Sequence, residues 1–519
     1  MTPNILLITA DQWRGDSFGA AGHPVLRTPA IDSLAADGVC FRRHYTQAAP
    51  CSPARASLYT GLYQMNHRVL RNGTPLDARH DNIAKALARQ GYSPTLFGYT
   101  DQAVDPRTTT PDDPRLTTYE EVLPGFQVGV KLPEDNGAWF DWMQTRGHVL
   151  PDDRWDLFLP PEGRPVSPGR AAPRFSQDET ETAILTGAFL DWMAQQPGDV
   201  PWCAHLSFLR PHPPFVVPAP FNDLYDPADG PAFRRAADPS AEAAQHPYLA
   251  YWLERARAGG YCFVEETDRL LADWPEETFR LVRATYWGMI SEVDRQIGRL
   301  VEGLKAAGAW DDTIIVLTSD HGEMMGDHWT LGKFGYFDQA YHIPLIVRDP
   351  RRPEGFGRQV TAFTEAVDVV PTLLEAVGGQ RDGPADGRAL MAFLAGQTPA
   401  DWRREVHWEY DFREVPRGSA QRALGLDLDD CSLAVIRDAR YKYVHFAGLP
   451  PLLFDLQEDP DELVNRAGDP AYLATRVELA EKLLAWRSRH LDRRLTGIAL
   501  TADGPVDART GLQAAGAPA

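Results

Sequence analysis

Short apolar runs alternate with amphipathic helical patterns along most of this chain. The runs 4–10, 93–99, 202–208 and 313–318 have the length and composition of fully buried strands. Helices are predicted near 30–37, 82–90 and 178–195. The clearest one places apolar residues three and four apart from Phe279 to Leu304, directly before the last run. This alternation predicts an α/β fold with a large, mostly parallel sheet sandwiched by helices.

The pattern changes after about residue 385. Residues 406–410 resemble a strand, residues 432–437 and 440–446 a hairpin, and residues 471–489 a final helix. The stretches 101–175 and 213–275 show little periodicity and are predicted to be long loops over one face of the sheet. We therefore expect an α/β domain over 1–384, a smaller C-terminal α+β subdomain over 385–500 and a tail over 501–519.

The charge and the cysteines restrict the partners of the protein. Its 519 residues include 52 basic and 72 acidic ones, a net charge of −20, which disfavours nucleic acid and anionic lipid. No apolar run approaches the roughly 20 residues of a membrane span, and the start lacks the features of a signal peptide. Five scattered cysteines suit a reducing compartment. We therefore expect a cytoplasmic protein.

Acidic residues follow two of the predicted strands. Asp11-Gln12 comes directly after the run 4–10, and Asp320-His321 follows the run 313–318. Singly, Asp11 could be a helix cap and Asp320 a turn residue. Because ligands bind at the carboxyl ends of strands in open α/β sheets, two carboxylates and an imidazole converging there predict a divalent-metal site.

A second group of residues surrounds Cys51. In Cys51-Ser52-Pro53-Ala54-Arg55, Pro53 suits the first turn of a helix, and Gly61 suits its end. Cys51 would then lie at a helix N-terminus, which favours an anion. Arg55 lies one turn later on the same face. The alternative interpretation is a buried structural cysteine that precedes a helix.

Two further residues are candidates for the same site only in combination with these motifs. His212 follows the run 202–208 between prolines, and Lys333 lies where a returning loop could bring it over the same site. Alone, a lysine is normally solvated. His205 lies inside the predicted strand and is interpreted as a core histidine.

These motifs resemble the sulfatase family of the alkaline phosphatase superfamily. The resemblance covers residues 3–12, the segment 51–61, the segment 319–333 and a C-terminal signature at 454–465. Asp11-Gln12 and Asp320-His321 resemble most the branch of phosphonate monoester hydrolases and related arylsulfatases. The resemblance implies that Cys51 is oxidised to formylglycine by a formylglycine-generating enzyme.

The resemblance also implies roles for individual residues. The implied metal ligands are Asp11, modified Cys51, Asp320 and His321. Arg55 is expected to hold the formylglycine, and His212 or Lys333 to protonate the leaving group. The implied substrate contacts are Gln12, Asn72, Tyr99, His212 and Lys333. Asp101 stands near the substrate where the family pattern favours threonine, which puts the substrate preference in doubt.

The expected activity is hydrolysis of monoanionic sulfate esters, phosphonate monoesters and phosphodiesters by covalent attack of hydrated formylglycine. One divalent metal is expected, with Mn²⁺ or Zn²⁺ favoured by the imidazole ligand and Ca²⁺ as the alternative. Alternative functions are a phosphodiesterase or phosphonate monoester hydrolase with side sulfatase activity, and an unmodified, silent metal-binding protein. We also expect a homo-oligomer, either a dimer or a tetramer.

Overall fold

The computed structural model is built around a mixed, mostly parallel sheet. It describes residues 2–161, 171–259, 262, 266–415, 417–502 and 504–507. In the described residues this sheet has nine strands. They are β1 (Asn4–Ala10), β2 (Val39–Tyr45), β3 (Thr95–Gly98), β4 (Gln127–Lys131), β5 (Cys203–Phe208), β6 (Thr313–Thr318), β7 (His342–Ile343), β8 (Leu345–Arg348) and β9 (Arg358–Glu365). Their order is β4-β3-β5-β1-β6-β8-β2-β7, and β9 pairs with β2.

Helices cover the sheet, and short helices also lie in the segments that connect its strands. The first are α1 (Pro29–Ala36), α2 (Cys51–Thr60), α3 (Gln64–His67), α4 (Ile83–Ala88), α5 (Gly137–Thr145), α6 (Glu181–Met193), α7 (Pro239–Ala243) and α8 (Pro247–Leu253). Next come α9 (Glu276–Ala306), α10 (Asp338–Tyr341), α11 (Val369–Ala376) and α12 (Met391–Leu394). None of the helices in the described part of the chain is both long and apolar enough to cross a membrane.

Strand β1 shows why its sequence is apolar throughout. Leu6 and Ile8 belong to the hydrophobic cluster on one face of the sheet, and Ile5 and Leu7 to the cluster on the other. Since successive side chains of a strand point to opposite faces, a central strand with both faces covered needs apolar residues at every position. The predicted α/β sandwich is therefore confirmed.

A smaller antiparallel sheet follows. Its strands are β10 (Val406–Asp411), β11 (Ser432–Arg437), β12 (Tyr441–Phe446) and β13 (Leu452–Asp455). Two helices accompany them, α13 (Ser419–Leu424) and α14 (Leu473–His490), and Leu479, Leu483 and Trp486 of α14 are buried. The predicted C-terminal α+β unit is confirmed as architecture, whereas its boundary at residue 385 stays a prediction. The backbone N–H of Glu409 donates to the Gln47 carbonyl, 3.0 Å away, so β10 contacts the segment that directly follows β2.

Several sequence expectations need correction. Strands β2, β8 and β9 were not predicted. The stretch 101–175 contains β4 and α5, although residues 162–170 lie outside the described residues. The stretch 213–275 contains α7 and α8, with 260, 261 and 263–265 outside the described residues. The predicted tail includes part of a hairpin formed by β14 (Ile498–Thr501) and β15 (Gly504–Asp507), and residues 503 and 508–519 are not described.

Candidate active site

The carboxyl ends of neighbouring parallel strands carry the candidate residues. Strand β1 lies between β5 and β6, with Ala10 opposite Phe208 and Thr9 opposite Thr318. Asp11 therefore leaves the sheet beside the segments that lead to His212 and Asp320. Tyr99 follows β3, which pairs with the other side of β5. The parallel register thus brings together residues that are more than 200 positions apart in the chain.

Four side chains converge at this edge. One donor atom from each of Asp11, Cys51, Asp320 and His321 lies within 4.8 Å of the others, and all four residues are buried. His321 Nε2 lies 3.2 Å from Cys51 Sγ, 3.7 Å from Asp11 Oδ1 and 3.6 Å from Asp320 Oδ2.

These four side chains, Asp11, Cys51, Asp320 and His321, are called the donor set, and their donor atoms fit a divalent cation. Asp11 Oδ1 is buried and has no hydrogen-bond partner among the described residues. His321 Nδ1 lies 3.0 Å from the Gly322 carbonyl, which can only accept, so Nδ1 carries the hydrogen and Nε2 offers its lone pair to the cluster. Burial, followed by Lys333, lowers the pKa of His321 to about 3, so the ring is neutral at pH 7. An uncharged imidazole and two carboxylates are the donors that a cation requires.

Helix α2 presents Cys51 as its first residue, as the sequence predicted. Gly61 ends the helix in a left-handed conformation, with φ of 66°, and its N–H donates to the Ser57 carbonyl. At the other end, the Ser52 N–H donates to Asn72 Oδ1 over 3.0 Å. Asn72 therefore holds the N-terminus of α2, and it also lines the cavity above Cys51.

Arg55 lies among the carboxylates at the strand ends. Its guanidinium is 0% exposed and forms ion pairs of 2.9 Å with both Asp11 and Asp320. It also donates to Ser207 Oγ over 2.8 Å and lies 4.2 Å from the centre of the Tyr99 ring. Arg55 thus bonds two carboxylates of the donor set, and its expected contact with the formylglycine stays a prediction. Arg55 positions these groups and does not line the cavity.

Gln12 and Lys333 meet on the cavity wall. Lys333 Nζ donates to Gln12 Oε1, and Gln12 Nε2 donates to Glu323. Glu323 also accepts the N–H groups of Met325 and Gly332. Because Glu323 fixes the amide, Gln12 turns its oxygen toward the lysine. Lys333 thus lines the same cavity as Cys51, and its role toward the substrate stays a prediction.

His212 lies on the same cavity and is 5% exposed. Its Nδ1 lies 2.9 Å from the Pro213 carbonyl and so carries the hydrogen, which leaves Nε2 as an acceptor. Burial, followed by Lys333, lowers its pKa to about 4. His205, by contrast, is buried in β5 with Nε2 3.2 Å from Thr9 Oγ1, as expected for a core histidine.

Two predicted substrate contacts lie outside the cavity wall. Tyr99 is 0% exposed, and its hydroxyl donates to Asp11 Oδ2. Asp101 is 0% exposed, has a φ of 55° and accepts a hydrogen bond from Ser52 Oγ over 3.2 Å. Tyr99 therefore supports Asp11, and its expected contact with the substrate stays a prediction. Asp101 lies beside the start of α2.

The cavity itself has a volume of about 480 Å³ and includes residues that sequence reasoning missed. Glu134, Tyr119 and Glu323 line it together with Cys51 and His212. A carboxylate oxygen of Glu134 lies within 4.8 Å of Cys51 Sγ and of a His212 ring nitrogen. Glu134 follows β4 in a stretch without periodicity, so the sequence offered no signal for it. Ser207 was missed because it lies in a strand, although a polar residue in a buried run was a usable sign.

Known proteins agree with this architecture. The sulfatase family model matches residues 3–379, and the C-terminal model of N-sulphoglucosamine sulphohydrolase matches residues 326–489. The multifunctional alkaline phosphatase superfamily protein PehA of Trinickia caryophylli is 45% identical over 95% of this chain and 96% of its own length.

Two solved structures are similar over nearly the whole chain. The phosphonate monoester hydrolase of Agrobacterium radiobacter has a TM-score of 0.93 and 54% identity, covering 97% of this chain and 99% of that one. The phosphonate monoester hydrolase of Silicibacter pomeroyi has a TM-score of 0.92 and 39% identity, covering 98% and 99%. With the family model matching well over half of the chain and the donor set at its strand ends, this protein belongs to the sulfatase family.

Proposed function

We propose that this protein hydrolyses monoanionic esters, namely sulfate monoesters, phosphonate monoesters and phosphodiesters, with a formylglycine made from Cys51. The observation that carries the proposal is the convergence of Asp11, Cys51, Asp320 and His321 at the first residue of α2. The names of the similar proteins, a multifunctional superfamily member and two phosphonate monoester hydrolases, support the same class of substrate.

Cys51 Sγ marks the place of one hydroxyl oxygen of the hydrated formylglycine. That oxygen forms a bond to sulfur or phosphorus, while the bond to the alcohol oxygen breaks and the alcohol takes a proton. The second hydroxyl then gives up its proton, the bond between the first oxygen and the residue's carbon breaks, and the aldehyde reforms as the product leaves, which is inorganic sulfate, a phosphonic acid or, from a phosphodiester, a phosphate monoester. Water then adds to the aldehyde and restores the hydrated formylglycine with which the cycle began.

The surrounding residues divide the remaining tasks. Asp11, residue 51, Asp320 and His321 would hold one divalent cation, and His321 favours Mn²⁺ or Zn²⁺ over Ca²⁺. When bound, the cation makes a hydroxyl more acidic and offsets negative charge on the transferring group. Gln12, Asn72 and Lys333 line the cavity and bind the oxygens of the substrate. His212, through the acceptor Nε2, suits removal of the proton from the second hydroxyl, and Lys333 suits protonation of the leaving oxygen.

The balance of charge favours a monoanion. Arg55 offsets one of the two carboxylates, Asp11 and Asp320. A divalent cation would offset the other carboxylate and leave one positive charge. Lys333 adds a second positive charge. A phosphate monoester brings about 1.5 to 2 negative charges at pH 7, and the nearby Glu134 carboxylate opposes a further charge. Phosphate monoesters should therefore be poorer substrates.

A panel of para-nitrophenyl sulfate, phenylphosphonate, phosphodiester and phosphate monoester tests this proposal on protein co-expressed with a formylglycine-generating enzyme. We expect kcat/KM to be higher for each of the three monoanions than for the phosphate monoester. A preference for the phosphate monoester would overturn the substrate class. The similarity to two phosphonate monoester hydrolases favours phosphonates over sulfates within the panel.

Mass spectrometry of the peptide that contains residue 51 tests the modification separately, because the aldehyde is lighter than the cysteine. Full activity from protein that carries only the thiol would refute the role of formylglycine. A persistent thiol together with no activity after co-expression would favour the silent metal-binding alternative. The cytoplasmic location and the homo-oligomer stay predictions.

A further inference from the structure

Two carboxylates near residue 51 have no part in the proposed reaction. Glu134 lines the cavity within 4.8 Å of Cys51 Sγ, and Asp101 bonds Ser52 Oγ, next to the nucleophile. Glu134 Oε1 and Asp101 Oδ1 are both buried without a hydrogen-bond partner among the described residues. Asp101 is 0% exposed.

Neither carboxylate forms an ion pair of 4.0 Å or less with a basic residue in the described part of the chain. This sets them apart from Asp11 and Asp320, which share Arg55. Burial raises the pKa of Asp101 well above its ordinary range, and Glu134 raises it further, so the two groups repel one another. A buried carboxylate without a partner is costly. A positively charged group in the cavity beside Glu134 would remove that cost for Glu134.

The geometry of attack limits where this group can come from. In an in-line displacement the leaving alcohol lies opposite the attacking oxygen, away from residue 51. Groups close to residue 51 therefore face the substituents that stay on the transferring atom. A sulfate ester has only oxygens there. A phosphonate has its carbon substituent, and the short distance from Cys51 Sγ to Glu134 suits an arm of one or two carbons.

We propose that Glu134 binds an ammonium group on the phosphorus side of the substrate, so that the preferred substrates are monoesters of aminoalkylphosphonic acids. This inference rests on the proposed function and narrows its substrate class. The anionic end of such a zwitterion lies at the donor set and Lys333, and its cationic end lies at Glu134, which lines the cavity. Tyr119, which also lines the cavity, adds an aromatic wall that suits an ammonium group.

A second metal ion is the competing occupant. Cys51, Glu134 and His212 offer donor atoms within 4.8 Å of one another. However, residue 51 already belongs to the four-donor set, and His212 Nδ1 is engaged by the Pro213 carbonyl. Only Glu134 and His212 Nε2 would serve the second ion alone, fewer donors than metal sites commonly use. The observations therefore favour a group carried by the substrate.

The test compares para-nitrophenyl esters of aminoethylphosphonic acid and of propylphosphonic acid, which differ in an ammonium and a methyl group of similar size. We expect the wild-type kcat/KM to favour the amine by at least about tenfold, or about 1.4 kcal/mol. In Glu134→Gln this ratio should fall by about tenfold. Asp411→Asn is the matched control, because Asp411 lines the cavity but is paired with Arg413, and its ratio should match the wild type.

Two further measurements separate the explanations. Calorimetry with the two free phosphonic acids reports binding without turnover. If no ester is hydrolysed but the amine still binds more tightly, the proposed function fails while this site stands. Equal kcat/KM and equal binding for amine and propyl compounds would overturn the site. Two metal ions per chain in the wild type, with one lost in Glu134→Gln, would overturn it in favour of a metal.

Discussion

Arg55 is a buried side chain that bonds two of the candidate metal ligands and does not line the cavity. It reaches from α2 to the carboxylates after β1 and β6, so it sets the position of residue 51 relative to Asp11 and Asp320. A guanidinium suits this task because its planar donors bond several acceptors in fixed directions. Its burial among two carboxylates, Ser207 and Tyr99 makes it a positioning residue, whereas a sequence motif alone places it beside the nucleophile.

Replacement of Arg55 by Met should therefore affect stability as well as activity. The variant leaves two buried carboxylates without their cation, which costs about 3 to 5 kcal/mol in the free energy of unfolding of metal-free protein. Added Mn²⁺ should reduce this loss, since the metal offsets the same charges. Urea unfolding with and without metal measures both effects. Arg71→Met is the control, because among the described residues the Arg71 side chain donates a hydrogen bond only to the Arg413 carbonyl, and an equal loss in both variants would contradict the assignment.

His321 should determine which metal the site prefers. Its Nε2 is the one nitrogen among the donors, so His321→Asn replaces nitrogen by oxygen and should shift the preference from Mn²⁺ or Zn²⁺ toward Ca²⁺. Metal content after dialysis against equal concentrations of the three ions measures the shift. His205→Asn, a core substitution away from the donor set, should keep the wild-type preference. An unchanged metal profile in His321→Asn would argue against the site.

At the residue scale, the sequence identifies groups that belong to motifs and misses those that do not. Asp11, Cys51, Asp320 and His321 follow strands or begin a helix, so their convergence is predictable. Glu134 lies in a stretch rich in proline and aspartate, where a further acidic residue does not stand out as a candidate site residue. Tyr99 is implied by resemblance to contact the substrate; the structure shows that it is buried and donates to Asp11.

Asp294 links helices α1 and α9, and the shift of its pKa predicts how the stability of the protein depends on pH. Asp294 of α9 accepts the N–H groups of Ala30 and Ile31 in the first turn of α1. Burial raises its pKa to about 6, whereas an unfolded chain releases this proton near pH 4. Its contribution to stability is therefore fully present below about pH 4 and is lost as the pH rises through 6.

Asp294→Asn keeps an acceptor oxygen but has no proton to lose. Between pH 4 and 7 the wild type should lose roughly 2 to 3 kcal/mol relative to this variant. Urea unfolding at several pH values gives the difference directly. Asp311→Asn, at a side chain that is 92% exposed, serves as the control and should show a constant difference. A difference between Asp294→Asn and the wild type that does not change with pH would refute the role of Asp294.

Elements with a strong period are those that the sequence predicts best. Helix α9 and strand β6 match closely because a long amphipathic pattern leads into a run of Ile, Val and Leu. Strand β2 escapes prediction because Arg42, Arg43 and His44 interrupt its apolar residues. Strand β2 forms because it pairs with both β8 and β9 in the folded sheet. Such tertiary pairing cannot be inferred from a local pattern.

For the whole molecule, the net charge of −20 opposes the binding of an anionic substrate. This field extends about 30 Å at 10 mM salt but only about 8 Å at 150 mM. The local groups, Lys333 and a bound cation, act within a few ångströms and are screened far less. Raising the salt concentration should therefore remove the long-range repulsion while it preserves the local attraction.

The prediction is that kcat/KM for the propylphosphonate ester, a monoanion, rises by roughly three- to fivefold between 10 and 150 mM salt. The aminoethylphosphonate ester has no net charge, so the field of the whole protein acts on it weakly and its kcat/KM should change little. Measurement of both esters in the same buffers makes one the control of the other. A fall in kcat/KM for the monoanion would mean that the positive groups around the cavity, and not the net charge, govern the approach of the substrate.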